Sequence, residues 1–143
     1  MPATEARSAQ NTYFSTGDGA SPEVFTELAE VVSIGGPNET ADEIDATHLR
    51  SPSGYREFIQ SFKDGGELPL ELNFVPGSAT QQAMDADFAS GTTKNRQITY
   101  PDGSYHSFAG WVKARGNSNT AVGSKLTRMY TVRIVGPVTL TAA

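Results

Sequence analysis

The run Leu68-Pro69-Leu70-Glu71-Leu72-Asn73-Phe74-Val75 constrains the fold more than any other part of the chain. Leu68, Leu70, Leu72 and Phe74 alternate with Pro69, Glu71, Asn73 and Val75, and side chains alternate between the two faces of a strand. One face of this segment must be buried, while the other stays polar. Pro69 places it at a sheet edge or at the strand's start, and Pro76-Gly77 stops it. Turn residues are frequent throughout: 14 Gly and 8 Pro among 143 residues, with only 37% hydrophobic residues. That balance describes a turn-rich β protein and fits neither a helical bundle nor a fully disordered chain.

The rest of the chain is read around this strand. Tyr13 and Phe14 begin a short β-prone stretch before Gly17-Asp18-Gly19. Val24–Ile34 alternates imperfectly, and residues 23–32 also fit a helix; one strand is the preferred reading, because β-branched residues cluster at its end. Residues 37–66 hold only scattered apolar side chains (Ile44, Leu49, Tyr55, Phe58, Ile59, Phe62) and read as a long loop that a partner would order. Ser78–Ser90 reads as a helix, with Ser78 and Gln81 spaced for a capping box and Gly91 at its end. Asn95–Tyr100 and Ser104–Ala114 form a hairpin through Pro101-Asp102-Gly103. Residues 116–123 read as a polar loop, Leu126–Val135 as a strand, Gly136-Pro137 as a kink and Val138–Thr141 as a last short strand. The expected architecture is a single domain over 1–143: mainly β, a sandwich or barrel with one flanking helix. Arms are expected at 1–11 and 138–143. The candidate core is Leu70, Leu72, Phe74, Phe88, Phe108 and Trp111.

Several function classes drop out. There is no cysteine, so disulfides, thiolate metal sites and cysteine nucleophiles are excluded. No apolar run approaches 18 residues, and the polar N-terminus lacks the apolar segment of a secretory leader. Net charge is −5, whereas a nucleic-acid binder carries a basic face. The charge is unevenly placed. Residues 1–34 sum to −4, 35–71 to −5, 72–93 to −2 and 94–143 to +6. Chance placement on a solvated surface explains this; so does head-to-tail assembly, an acidic face meeting a basic one.

No catalytic constellation emerges. Asp42, Asp45 and His48, with Glu39 upstream, could hold a divalent cation, but they fall on a loop where a preorganised site would prefer a rigid element. His106 reads as a surface or pore-facing imidazole and not as a catalytic base. Trp111 with Tyr100, Tyr105 and Phe108 could form a carbohydrate-binding platform, against core packing for Trp111 and Phe108 around Gly110. Phosphate-binding glycine motifs and the nucleophile elbow are absent, and no cofactor is expected.

A resemblance enters through ordered fragments. They are Phe74-Val75-Pro76-Gly77 with Gln81-Gln82-Ala83, then Tyr100-Pro101-Asp102-Gly103, then Phe108-x-Gly110-Trp111-Val112, then Arg133-Ile134-Val135-Gly136. Glu30-Val31-Val32-Ser33-Ile34 before an acidic loop, Gly54-Tyr55-Arg56-Glu57-Phe58-Ile59 and Lys63-Asp64-Gly65-Gly66-Glu67 extend it. Together they resemble the major tail tube protein of lambda-type bacteriophages with long non-contractile tails.

That resemblance implies a virion protein, not an enzyme. Its hexameric rings stack into a helical tube around a tape-measure protein and carry DNA from capsid to host during genome ejection. Tail terminator and tail tip proteins are the implied end partners, and assembly takes place in the bacterial host cytoplasm. The extra immunoglobulin-like C-terminal domain of the lambda protein is not expected. Glu71 and Asn73, with Glu67 and Glu27 nearby, would face the lumen, and an acidic wall lets polyanionic DNA slide. Residues Glu39, Asp42, Asp45, His48, Arg50, Tyr55, Arg56, Phe58, Ile59 and Phe62 would form the inter-subunit, inter-ring loop. Lys113, Arg115 and Lys125 would be the basic face that it meets. A tube-forming secretion-system protein is a close alternative reading.

Overall fold

The computed structural model describes residues 3–143; Met1 and Pro2 of the expected arm lie outside the described residues. The strands are β1 (Tyr13–Gly17), β2 (Phe25–Glu27), β3 (Val31–Ile34), β4 (Thr40–Asp45), β5 (Phe58–Asp64), β6 (Glu67–Asn73), β7 (Lys94–Thr99), β8 (Tyr105–Asn119) and β9 (Thr127–Thr141). Among the described residues there is a single α-helix, α1 (Ala79–Ser90), between β6 and β7. Seven strands form one antiparallel sheet in the order β2-β1-β7-β8-β9-β6-β3, and β4 and β5 form a separate two-stranded unit.

The seven-stranded sheet rolls so that one face encloses a single core. Phe14 of β1, Leu68, Leu70 and Leu72 of β6, Ile98 of β7, Phe108 and Val112 of β8, and Tyr130, Val132 and Ile134 of β9 meet there with Leu28 and Met84. The alternation read in Leu68–Val75 is realised: the three leucines are buried and the residues between them are not. The strand ends at Asn73, so Phe74 lies just beyond it, half-buried. Gly110 is required by packing, since a Cβ there would sit 2.7 Å from Val132 Cγ1.

Four sequence expectations need correction. Val24–Ile34 is two strands, because Glu30 adopts a left-handed backbone (φ 65°) and turns the chain. The polar loop at 116–123 is shorter than expected: β8 runs on to Asn119, pairing with β9 down to Thr127. Residues 138–141 are not a free arm, because Thr139, Leu140 and Thr141 pair with Ser107, His106 and Tyr105, the Gly136-Pro137 kink being absorbed as a bulge. Trp111 and Phe88 are not core residues. Trp111 points to the sheet face opposite Phe108 and Val112 and is half-buried, while Phe88 is 36% exposed.

The helix is placed by polar contacts. Its buried side chains are Gln81, Met84 and Asp87, one face at i+3 spacing. Ser78 makes no capping bond. Gln81 is used elsewhere: its amide donates to the Asn73 carbonyl (2.8 Å) and accepts from the Val75 N–H (3.1 Å), closing the strand-to-helix turn. Gly91 ends the helix in the left-handed conformation, as the sequence predicts. Asp87 pairs with Arg96 (3.3 Å) and Lys94 (2.6 Å). The Arg96 guanidinium, fully buried, also donates to Thr16 Oγ1 (3.0 Å) and the Gly110 carbonyl (3.3 Å), tying α1 to β1, β7 and β8.

Removing one partner of such a pair strands a buried charge. Asp87→Ala should therefore cost about 3–5 kcal/mol, read as a lowered urea midpoint. The double replacement Asp87→Leu with Arg96→Met should cost less than the single one, because the only charge left without its partner is that of Lys94, which reaches solvent.

Candidate assembly surfaces

Residues 37–66 are not a structureless loop. Their centre is the β4–β5 hairpin, in which Ile44 lies opposite Ile59 and Asp45 opposite Phe58. Their short polar and β-branched residues alternate too irregularly to announce two strands, and a bulge between Ala41 and Glu43 breaks the pattern further. The tip is tied internally. Arg56 pairs with Asp45 (3.0 Å), Ser51 Oγ donates to Glu57 (2.7 Å), and His48 Nδ1 lies 3.2 Å from Glu57. His48 is thus turned to Ser51 and Glu57, and no three His, Asp or Glu side chains gather to hold a metal among the described residues. Glu39, Asp42 and Glu43 have no salt-bridge partner among the described residues.

Both faces of the hairpin meet water. Every β4 residue is exposed, as are Leu49, Arg50, Tyr55 (76%), Phe58 (51%), Ile59 (55%) and Phe62 (84%). An isolated two-stranded hairpin is at best marginally stable in water, and an apolar cluster of this kind marks an interaction surface. Only the root is fixed. Asp64 accepts from Gly66 N–H (2.8 Å) and from Arg133 Nη2 (2.8 Å), and Ile134 N–H donates to the Gly66 carbonyl (3.1 Å). A Cβ on Gly65 would lie 2.5 Å from Ile134 Cγ2, so this glycine lets the root lie flat on β9.

The sequence places Glu67, Glu71, Asn73 and Glu27 together, and the fold separates them in part. Glu67, Glu71 and Asn73 lie on the outward face of β6, while Glu27 lies on the edge strand β2. Glu30, which the sequence reading missed, joins them: it accepts a hydrogen bond from Asn73 Nδ2 (2.9 Å). The aromatic platform does not form. Phe108 is buried, Trp111 is on the other face, and Tyr100 turns its hydroxyl to His106 Nδ1 (2.6 Å).

The charge asymmetry resolves largely within the chain. Of the seven bases in residues 94–143, six have a carboxylate partner: Lys94 and Arg96 on Asp87, Arg115 and Arg128 on Asp85, Lys113 on Glu67 and Arg133 on Asp64. The expected basic face is therefore reduced, since Lys113 and Arg115 are engaged at home. Arg115 also stacks its guanidinium 4.7 Å from the Phe88 ring centroid. Lys125 alone of the seven remains exposed and without a salt-bridge partner among the described residues.

These pairs hold several carboxyls low. Asp64 is lowered by the Gly66 N–H and by Arg133, and Glu67 by Lys113. For Asp85, burial raises the pKa, but hydrogen bonds from Arg128 and Tyr130 and the nearby cations outweigh it.

The β module with its solvent-exposed hairpin matches a family model. The model for the lambda phage tail tube protein matches residues 10–141. The chain belongs to the lambda phage tail tube protein family. It is a structural component of the virion tail. No curated protein sequence matches it. The fold is similar to a chain in the tail of an empty gene transfer agent particle of C6 symmetry, at 14% identity and TM-score 0.75, covering 96% of this chain and 100% of that one. It is also similar to the SPP1 tail tube (12%, TM-score 0.70, 95% and 79% covered). A third likeness is to a chain of an extracellular contractile injection system's sheath–tube complex (14%, TM-score 0.70, 97% and 93% covered). Among the described residues of this tail tube protein, no helix is long and apolar enough to cross a membrane.

A carboxyl whose folded pKa is depressed contributes stability above its unfolded value and loses it as pH falls through the folded one. The urea midpoint should therefore hold from pH 7 to about 5 and fall below about pH 4. Asp85→Asn should lower the midpoint at pH 7 and weaken the acid-side fall.

Proposed function

We propose that six copies of this chain close into a ring and that rings stack into the tail tube, the conduit for DNA from capsid to host. The observation that carries this reading is the β4–β5 hairpin, which exposes Tyr55, Phe58, Ile59 and Phe62 on an element that cannot be stable alone. A second copy supplies the missing cover. The relative from the gene transfer agent tail, in a particle of C6 symmetry, supports the ring number. The lumen is lined by the outward face of β6, with Glu67, Glu71 and Asn73, and by Glu27 at the β2 edge. Arg133 and Lys113 border this face, but Asp64 and Glu67 neutralise them. DNA then meets a wall without free cations and passes without specific binding.

The same tube encloses a tape-measure protein and ends in a terminator and a tail tip. Relatives of similar fold come from a tube-terminating cap and from a baseplate, which supports end partners of this kind. Assembly belongs to the host cytoplasm, and the chain serves as a wall, with no catalytic role. A tube in a contractile injection device is the second reading, favoured by the likeness to the sheath–tube complex.

Fully burying an aromatic side chain of this size contributes about 1.5–3 kcal/mol. Phe58→Asp should leave the circular dichroism spectrum of the unassembled chain unchanged. It should weaken assembly by about one to two orders of magnitude, read by negative-stain electron microscopy and sedimentation. Normal tubes from this variant would remove the hairpin from the contact.

A further inference from the structure

The intrachain pairing leaves one basic group to be explained. Four of the chain's eleven bases lack a salt-bridge partner among the described residues: Arg7, Arg50, Lys63 and Lys125. Arg50 and Lys63 belong to the segment that carries the hairpin. Arg7 lies near Asp102, beside the β7–β8 turn, where hydrogen bonds from Ser104 chiefly and the Arg7 charge in lesser part hold that carboxyl low. Lys125 stands apart from all of these. It sits in the turn between β8 and β9, flanked by fully exposed Val122 and half-exposed Leu126. That turn is built, not frayed: Ser124 N–H donates to the Ala121 carbonyl (3.2 Å), and Phe74 N–H donates to the Leu126 carbonyl (2.9 Å).

The topology puts this turn and the hairpin at opposite ends of the sheet. The hairpin root meets β9 at Arg133 and Ile134, and Glu67 pairs with Arg133. At the other end of the same ladder Asn73 pairs with Thr127, next to the Lys125 turn. The seven residues of β6 span about 20 Å. A chain cannot bring its own Lys125 to its own hairpin across that distance. A second copy placed end to end can. On the hairpin side the free acids Glu39, Asp42 and Glu43 stand beside exposed Phe62 and Ile44. A lysine flanked by two apolar side chains is complementary to acids flanked by two apolar side chains.

We infer that the Val122–Leu126 turn of one copy docks, through Lys125, on the Asp42–Glu43 side of the β4–β5 hairpin of the next. The contact joins two different surfaces at opposite ends of the sheet, so it is heterologous, and copies set end to end along the tube axis repeat it into a filament. It rests on the ring-and-tube reading above and names the surfaces that stack.

The chain has no cysteine, so an engineered pair reports this contact alone. Tubes of the Asp42→Cys/Lys125→Cys double variant, oxidised and run without reductant, should give a ladder of covalent oligomers, and neither single variant should extend beyond a dimer. Lys125→Glu should raise the concentration needed for assembly about two- to fivefold at low salt. Asp42→Lys added to Lys125→Glu should restore it. Both positions are exposed, and circular dichroism of each variant confirms that it is folded. Tubes that form normally but give no ladder, with Lys125→Glu assembling like the unaltered chain, overturn this contact and leave the tube reading standing. Absence of tubes from the unaltered chain overturns both.

Discussion

The antiparallel ladder between β8 and β9 is the pairing on which the remaining structure depends. Each strand has fifteen residues, longer than any other in the chain. On the β8 side hang β7, β1 and β2; on the β9 side hang β6 and β3. The helix docks against β8, and the hairpin root rests on Arg133 and Ile134 of β9. The ladder is not uniform. A bulge between Val112 and Ala114 shifts the alternation, so that Arg115 pairs with Tyr130 and reaches Asp85 on the helix side. Bulges re-aim side chains in this way without breaking the sheet.

Electrostatics then divides the molecule into a settled half and an unsettled one. Residues 94–143 are strongly basic in sequence, yet their charge is largely met by Asp64, Glu67, Asp85 and Asp87. Two of these partnerships anchor the helix, one holds the hairpin root, and one pins the end of β6. Most of what stays unpaired among the described residues is acidic, in residues 5–30 and at Glu39, Asp42 and Glu43 of the hairpin segment. Exposed ion pairs contribute little individually, about 0–1 kcal/mol; the buried Asp87–Arg96 pair matters more, because breaking it strands a guanidinium inside the fold.

The hairpin carries the argument from fold to assembly. It has a fixed root, an internally bonded tip and a middle whose apolar side chains stay half or more exposed. A sheet that buries its core yet keeps such an element exposed is complete as a fold and incomplete as a surface. Membership in the tail tube family is the ground for proposing that identical copies provide the cover.

Much of this was legible in residue order. The alternation of Leu68, Leu70 and Leu72 announced a half-buried strand, Asp102-Gly103 announced the β7–β8 hairpin, and Gly91 announced the helix end, because each is a local rule of backbone geometry or pleat. The ordered fragments resembling tail tube proteins identified the family. Tertiary structure alone decided the rest. Gln81 and Asp87, not an apolar stripe, fix the helix, since their partners Asn73, Arg96 and Lys94 come near only after the sheet forms. Trp111 faces away from the core because pleat parity, not its neighbour Gly110, sets its direction. The acids that neutralise Lys113 and Arg115 lie 46 and 30 residues away in sequence, so no local pattern could show those cations as already engaged. Local chemistry determined the elements and the family; which charges and apolar surfaces remain free for other copies depended on long-range pairing, which exists only once the chain has folded.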